Sequence, residues 1–273
     1  MTVSLIAASQ FTTAELTNIY NLSRIGYLIP MQMRTQELEN YMRLYQINLT
    51  HSLVAVRDGN PVGLGMLAIR EGRSWITRLG IYPNQRGRQI GFKLIEGLLE
   101  NSDKLMIETM TLEIITDNHP AHKLFLRFNF MERRKLLIMD RGINPKNLKM
   151  DEDIQPMDRD EVLSHLTSRT GQIPWTGQTE SYQQMAEIAG FHLEGPESGW
   201  VAYNLGSKGI SHLTYGPGCP ENTLRRLLDH LHAAYLQQSF RVDNLPADDP
   251  MLDLFTDKGY AISFSRIEMI RGG

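Results

Sequence analysis

Residues 82–99 read YPNQRGRQIGFKLIEGLL, a strand end turning directly into an amphipathic helix, with Arg86, Gly87, Arg88 and Gly91 crowded at the join. This join constrains the chain more than any other stretch. Glycines let backbone approach a ligand closely. The first-turn N–H groups of a helix starting near Ile90 have no intrahelical partners and sit at the positive end of its dipole. A turn of that kind suits a phosphate group. A Walker loop would require Gly-Lys-Ser/Thr and a dinucleotide fingerprint G-x-G-x-x-G, and the stretch contains neither. The plain alternative is a basic, glycine-containing turn before an ordinary helix.

The flanking segments have a regular order. VSLIAAS reads as a first strand, and TTAELTNIYNLSRIGYLI and RTQELENYMRLYQI carry helical apolar spacing. HSLVAVRDGNPVGLGMLAIREG reads as a hairpin turned at Asp58, Gly59, Asn60 and Pro61, and RSWITRLGIYP delivers the chain to the loop. Leu94, Ile95, Leu98 and Leu99 continue the helix, TMTLEII is a buried strand, and Asp117, Asn118 and Pro120 start a short helix before the strand MERRKLLIMDR. The succession β-α-α-β-β-β-α-β-α-β implies an α+β domain with helices on the faces of a sheet.

From Gly142 the pattern changes, and 142–158 is polar, carries two prolines and reads as a linker. Beyond it the same order returns more weakly. VLSHLTSRT and TESYQQMAEIA read as helices and GWVAYNLGSKGISHLTYG as two strands. ENTLRRLLDHLHAAYLQQ is an amphipathic helix, followed by SFRVDNLP, a short helix in DPMLDLFTDKGY and the strand AISFSRIEMI. Asn244, Leu254, Phe255, Gly259 and Tyr260 echo Asn118, Leu124, Phe125, Asn129 and Phe130.

The run R-x-x-x-x-G after LGIYP resembles the acetyl-CoA pyrophosphate loop of the GNAT N-acetyltransferase superfamily, usually Q/R-x-x-G-x-G/A. Arg86 and Gly91 match, while Gln89 stands where the first glycine is expected. Leu112, Glu113, Asn118, Ala121, Leu124 and Phe130 match the superfamily's "LEV…N…A…LY…GF" at the same intervals. The resemblance implies an α+β fold of two GNAT-like domains, each a mixed, mostly antiparallel sheet flanked by helices. Residues 1–141 would bind acetyl-CoA, 142–158 would link, and 159–273 would be a degenerate repeat, because TYGPGCPEN lacks the arginine and glycine spacing.

The resemblance also implies roles. Acetyl-CoA is the co-substrate, contacted by Arg86, Gly87, Arg88, Gln89, Ile90, Gly91 and Phe92, by the backbone of Leu79, Gly80 and Ile81, and by Asn118 and Phe125. A bulge is expected in the strand before the loop, with Gly80 suited to it. Glu113, on the strand face opposite Leu112 and Ile114, is the expected base that takes the amine's proton, against the plain reading of a structural glutamate. Phe125 occupies the place where the superfamily often has a tyrosine to protonate the leaving thiolate, and phenylalanine has no proton to give. Tyr82, His122 or water are the substitutes. Tyr27, Met31 and Met33 fall where relatives shape the acceptor site, although such methionines are more often core filler.

The implied function is N-acetyl transfer to a primary amine, small-molecule or peptide, by direct transfer. The alternative is a non-catalytic acyl-CoA-binding sensor, motivated by Gln89 and Phe125.

Composition narrows the remaining classes. A net charge of −3 supplies no basic field for nucleic acid or anionic lipid. The lone Cys219 excludes an intramolecular disulfide, and with no apolar run of membrane-spanning length or signal-peptide pattern a cytoplasmic location is expected. His119 and His122 lack a third ligand, so no metal is expected. Arg133, Arg134 and Lys135 read as a solvated strand edge. Nothing in the sequence opposes a homodimer.

Overall fold

The structure, a computed structural model, describes residues 2–144, 149–206 and 209–272. The chain divides into two compact units, Met1–Arg134 with Ile267–Gly273, and Lys135–Arg266. The final strand contributes residues to each, whereas the sequence pattern places it wholly within 159–273.

In the first unit β1 (Val3–Ala7), β2 (Leu53–Arg57), β3 (Asn60–Arg70) and β4 (Arg73–Ile81) run antiparallel in order, and β5 (Thr109–Ile115) lies parallel to β4. The end of the last strand, β12 (Ala261–Gly272), lies beyond β5. The β2–β3 hairpin turns on Asp58 and Gly59, both at positive φ (51° and 77°), the two-residue geometry that matches strand twist.

Helix α1 (Thr13–Ser23) starts with a capping box: Thr12 N–H donates to the Glu15 carboxylate at 2.7 Å and Glu15 N–H to the Thr12 hydroxyl at 3.2 Å. It packs with α2 (Thr35–Leu44) on one sheet face, where Leu16, Ile19, Tyr20, Leu38, Leu64 and Met66 are buried together. Helices α3 (Ile90–Lys104) and α4 (His119–Leu126) cover the other face, closing a core of Leu67, Ile76, Leu94, Leu98, Leu112 and Phe125. Burying these side chains is what holds both helix layers to the sheet, at about 1.5–3 kcal/mol for each fully buried one.

The second unit carries the end of β6 (Met131–Arg141), then β11 (Phe240–Pro246), β10 (Gly209–Tyr215), β9 (Gly199–Gly206), β8 (Ile188–Leu193) and β7 (Gln155–Met157). β10 and β11 run parallel, while the pairs β6–β11, β9–β10, β8–β9 and β7–β8 are antiparallel. Helices α5 (Arg159–Thr167), α6 (Thr179–Gln183), α7 (Glu221–Ala234) and α8 (Leu252–Asp257) complete it, with Leu224, Leu227, Leu228 and Leu231 of α7 in its core.

Two sequence expectations change here and a third holds. TESYQQMAEIA is a helix only as far as Gln183, because Ile188, Gly190, Phe191 and Leu193 pair with β9, and a side chain at Gly190 would collide with Val201 O at 2.6 Å. The stretch 142–158 contains strand β7, paired with β8, and its residues 145–148 lie outside the described residues. The two strands expected in 199–216 are present as β9 and β10, and residues 207 and 208 between them lie outside the described residues. No helix among the described residues is long and apolar enough to cross a membrane.

Candidate active site

The site is built where β4 leaves β5. Their parallel pairing runs from Arg73↔Thr109 to Ile76↔Leu112 and stops. Beyond it, residues 77–81 stay with β3 while 113–115 go on without that partner, so a cleft opens between two adjacent strands. A bulge accompanies the parting. Leu64 pairs with Gly80 and Met66 with Thr77, leaving Arg78 and Leu79 opposite the single residue Gly65, with Arg78 at φ 51°.

Gly80 is not the bulge residue, contrary to expectation; it sits in regular register. It is small for another reason: a Cβ there would run into the Ser23 side chain at the end of α1. The peptides flanking Gly80 are held by arginines. Arg24 Nη2 donates to Leu79 O at 3.1 Å, and Arg86 Nε donates to Ile81 O at 3.2 Å.

After β4, Pro83–Gln85 make one 3₁₀ turn, Arg86 is extended, and Gly87 (φ 74°) and Gln89 (φ 60°) are both left-handed before α3 begins. The first helical bond of α3 is Lys93 N–H to Gln89 O at 3.1 Å, so the N–H groups of Ile90, Gly91 and Phe92 point out of the helix start with no intrahelical carbonyl. Gln89 thus takes the backbone conformation that explains why relatives place glycine there. At Gly91 an added Cβ would make ordinary contact, 3.4 Å from Leu124 Cδ2. Phe92 stacks on Phe128 with centroids 4.5 Å apart. Arg86 is committed to backbone, donating through Nη2 to Ser23 O (3.1 Å) and Ile25 O (3.4 Å) as well as to Ile81 O, while Arg88 is exposed.

Opposite, Glu113 is half-buried on the β5 face away from Leu112 and Ile114, the face covered by α1 and α2. Asn118 caps α4, accepting from Ala121 N–H at 3.3 Å, and its Nδ2 donates to the Tyr27 hydroxyl at 3.2 Å. That bond ties the α1–α2 connection to the helix following β5. Met31 and Met33 pack against the α1–α2 core, and Met33's backbone is pinned by Asn21 in both directions, at 2.8 and 2.9 Å.

Phe125 is buried and packs edge-on against Phe130, centroids 5.4 Å apart. His122 contacts the Glu132 carboxylate at 2.7 Å. Burial raises the Tyr82 pKa, so its hydroxyl keeps its proton. Arg134 is not a solvated edge: its Nε donates to the buried Glu268 carboxylate at 2.7 Å, with Arg133 Nε at 3.8 Å. Arg24 and Arg78 were missed by sequence reasoning; the one available signal was a cation inside the apolar run WITRLGI.

The second unit repeats the frame and alters the loop. Ser211 pairs with Asn204 and Thr214 with Ala202, so His212 and Leu213 oppose Tyr203, with His212 at φ 53°. Where the first unit has its glycine loop, α7 is preceded by Pro220, which has no N–H, and begins with Glu221. The sequence echo holds in the short helices: Phe130 N–H donates to Phe125 O (3.2 Å) and Tyr260 N–H to Phe255 O (3.0 Å). It fails at Asn244, which lies inside β11 and donates to Thr176 instead of capping a helix.

The profile of the Acetyltransferase (GNAT) family matches residues 16–130, the segment holding the cleft. An uncharacterised N-acetyltransferase of Schizosaccharomyces pombe is 30 % identical over 114 residues, 40 % of this chain and 69 % of that protein. A provisionally named ribosomal-protein-alanine N-acetyltransferase of Bacillus subtilis is 30 % identical over 88 residues, 32 % of this chain and 58 % of that protein. Over the whole chain, the fold is similar to a tandem GNAT protein from the clavulanic acid biosynthesis pathway, with a TM-score of 0.70 at 13 % identity, covering 99 % of this chain and 98 % of that one. A parted β4–β5 pair, a turn with free amides at the start of α3, and relatives of this kind lead to one conclusion: the chain belongs to the GNAT acetyltransferase family.

Proposed function

We propose that the first unit transfers an acetyl group from acetyl-CoA directly to a primary amine of a small molecule or peptide. The observation that carries this is the cleft opening after Ile76 and Leu112, with the free amides at the α3 start on one side and Glu113 on the other. The amides of residues 87–92 suit a pyrophosphate, and the backbone of Leu79, Gly80 and Ile81 would align the pantetheine and hold the carbonyl oxygen. Glu113 takes the ammonium proton. The amine lone pair then forms the C–N bond as the C–S bond breaks, and the departing thiolate is protonated by a group other than Phe125, Tyr82 being the protonated candidate at the end of β4.

The second unit offers no comparable cradle at α7, which supports one acyl-CoA site per chain. Thiol titration of CoA release across a panel of amines tests the proposal, with Glu113→Gln expected to slow turnover by about 10²–10⁴-fold while acetyl-CoA still binds. Binding of acetyl-CoA without release on any amine would replace acetyl transfer with the sensor reading.

A further inference from the structure

Beside the cleft, three buried polar atoms gather around one ring. The Tyr20 hydroxyl, Arg24 Nε and Arg78 Nε are all buried without a hydrogen-bond partner. Arg24 Cζ lies 5.0 Å and Arg78 Cζ 5.4 Å from the Tyr20 ring centroid. Arg24 is 7 % exposed, also lies over Tyr27 at 4.5 Å, and among the described residues uses its guanidinium for a single hydrogen bond, to Leu79 O. Arg78, the bulge residue, lies over Tyr41 at 3.9 Å and makes neither a hydrogen bond nor an ion pair with any described residue. Arg24 is buried and Arg78 half-buried; a cation withdrawn from water is ordinarily paired, and stacking on tyrosine does not satisfy N–H donors. Guanidinium groups donate and never accept, so what completes them is an oxygen ligand, best an anionic one.

The same sheet face carries Glu113. Ile76 pairs with Leu112, so Thr77 and Glu113 are the first residues past the pairing on their two strands, and Arg78 follows Thr77. A carboxylate followed by two guanidinium groups with no carboxylate partner among the described residues matches a molecule with an ammonium at one end and an oxyanion at the other.

We propose that Arg24 and Arg78 form an oxyanion subsite, so that the amine acceptor is one bearing a carboxylate or phosphate group. The subsite deepens the acetyl-transfer reading and rests on it for the amine. The Tyr20 and Tyr41 rings lie against the guanidinium groups and limit their motion.

The test pairs acceptors that differ only in the anion: amino acids against their amides, and phosphoethanolamine against ethanolamine, with CoA release measured on the full chain. The wild type should favour the anionic member of at least one pair by about ten- to a hundredfold in kcat/KM, and the pair showing it tells carboxylate from phosphate. Arg78→Gln should collapse that ratio toward one, mainly through KM, and Arg78→Lys should keep part of it. Equal use of both members by the wild type, or a preference unchanged in both Arg78→Gln and Arg24→Gln, overturns the subsite. If no amine releases CoA, acetyl transfer is what fails, and titration calorimetry with the same pairs decides the subsite alone. Binding of only the anionic members, lost in Arg78→Gln, upholds it, and equal or absent binding overturns it.

Discussion

Arg78 and His212 stand at the same point of the same bulge, one in each unit. Each is the first of two residues opposing one, Gly65 in the first case and Tyr203 in the second, and each is left-handed, at φ 51° and 53°. A non-glycine residue there costs about 1 kcal/mol or more, and β-branched side chains fare worst. Arg78→Val is therefore expected to be less stable than Arg78→Asn by about 1–2 kcal/mol in equilibrium unfolding, although valine is the better strand former. A valine variant as stable as the asparagine one would contradict a left-handed residue at this position.

Gly80 and Ser23 form a close contact between β4 and the end of α1. A Cβ at position 80 has no space while the serine side chain is present, so Gly80→Ala should destabilise by about 1–3 kcal/mol. Adding Ser23→Gly should recover part of that loss relative to the two single costs, a coupling that a double-mutant cycle reads directly. Strict additivity would mean the two residues do not meet.

Arg86 has two employments, and they can be separated. Its bonds to Ser23 O, Ile25 O and Ile81 O hold the loop to α1 and β4 without any ligand. Arg86→Ala should therefore lower the melting temperature of the unliganded protein, at about 1 kcal/mol for an exposed guanidinium. Arg86→Glu should in addition abolish the upward shift produced by acetyl-CoA, since a ligand that binds only the folded state stabilises by mass action. An unliganded stability indifferent to Arg86→Ala would leave those three bonds without weight.

Gln89→Gly relieves a left-handed glutamine at the start of α3 and adds chain entropy to the unfolded state. The two effects nearly offset, so stability should change by less than about 1 kcal/mol, whereas Gln89→Val should cost about 1–2 kcal/mol. Acetyl-CoA should stabilise the glycine variant at least as well as the wild type, because the amide row is kept. Loss of that response in Gln89→Gly would argue that the side chain itself, not the backbone, contributes to the loop.

What the sequence reveals follows how local the cause is. The turn at Asp58 and Gly59, the Asn118 cap and the strand-to-helix loop are short-range devices with residue preferences of their own, and each is legible. The bulge is not, because arginine and histidine carry no mark of a left-handed backbone; the sequence pointed to Gly80, two residues away, where the real constraint is Ser23. Arg24 is equally silent, since its partner Leu79 O lies 55 residues along the chain. Strand β8 hides because its run of alternation is short and begins only a few residues after a helical turn, and pairing with β9 decides it. The return of residues 267–273 to the first unit is a property of topology, which no local pattern encodes.

His232 makes the second unit's stability depend on pH. Its ring is 2 % exposed, bonded to the Tyr260 hydroxyl at 2.9 Å, and burial, with the positive charges of Arg141 and Lys258 nearby, pushes its pKa down to about 3. Burial lowers His212 and His230 in the same direction. The folded pKa lies below the unfolded value near 6.5, so the unfolded chain binds the extra proton. The neutral ring's contribution is complete above pH 6.5 and is lost as pH falls toward 3. Between pH 7 and 5 this amounts to about 2 kcal/mol for His232 alone. His232→Gln keeps a partner for Tyr260 and removes the titration, so the wild type should lose about that much more unfolding free energy than the variant over the same interval. Parallel pH profiles for the two proteins would show that His232 is solvated in the folded chain.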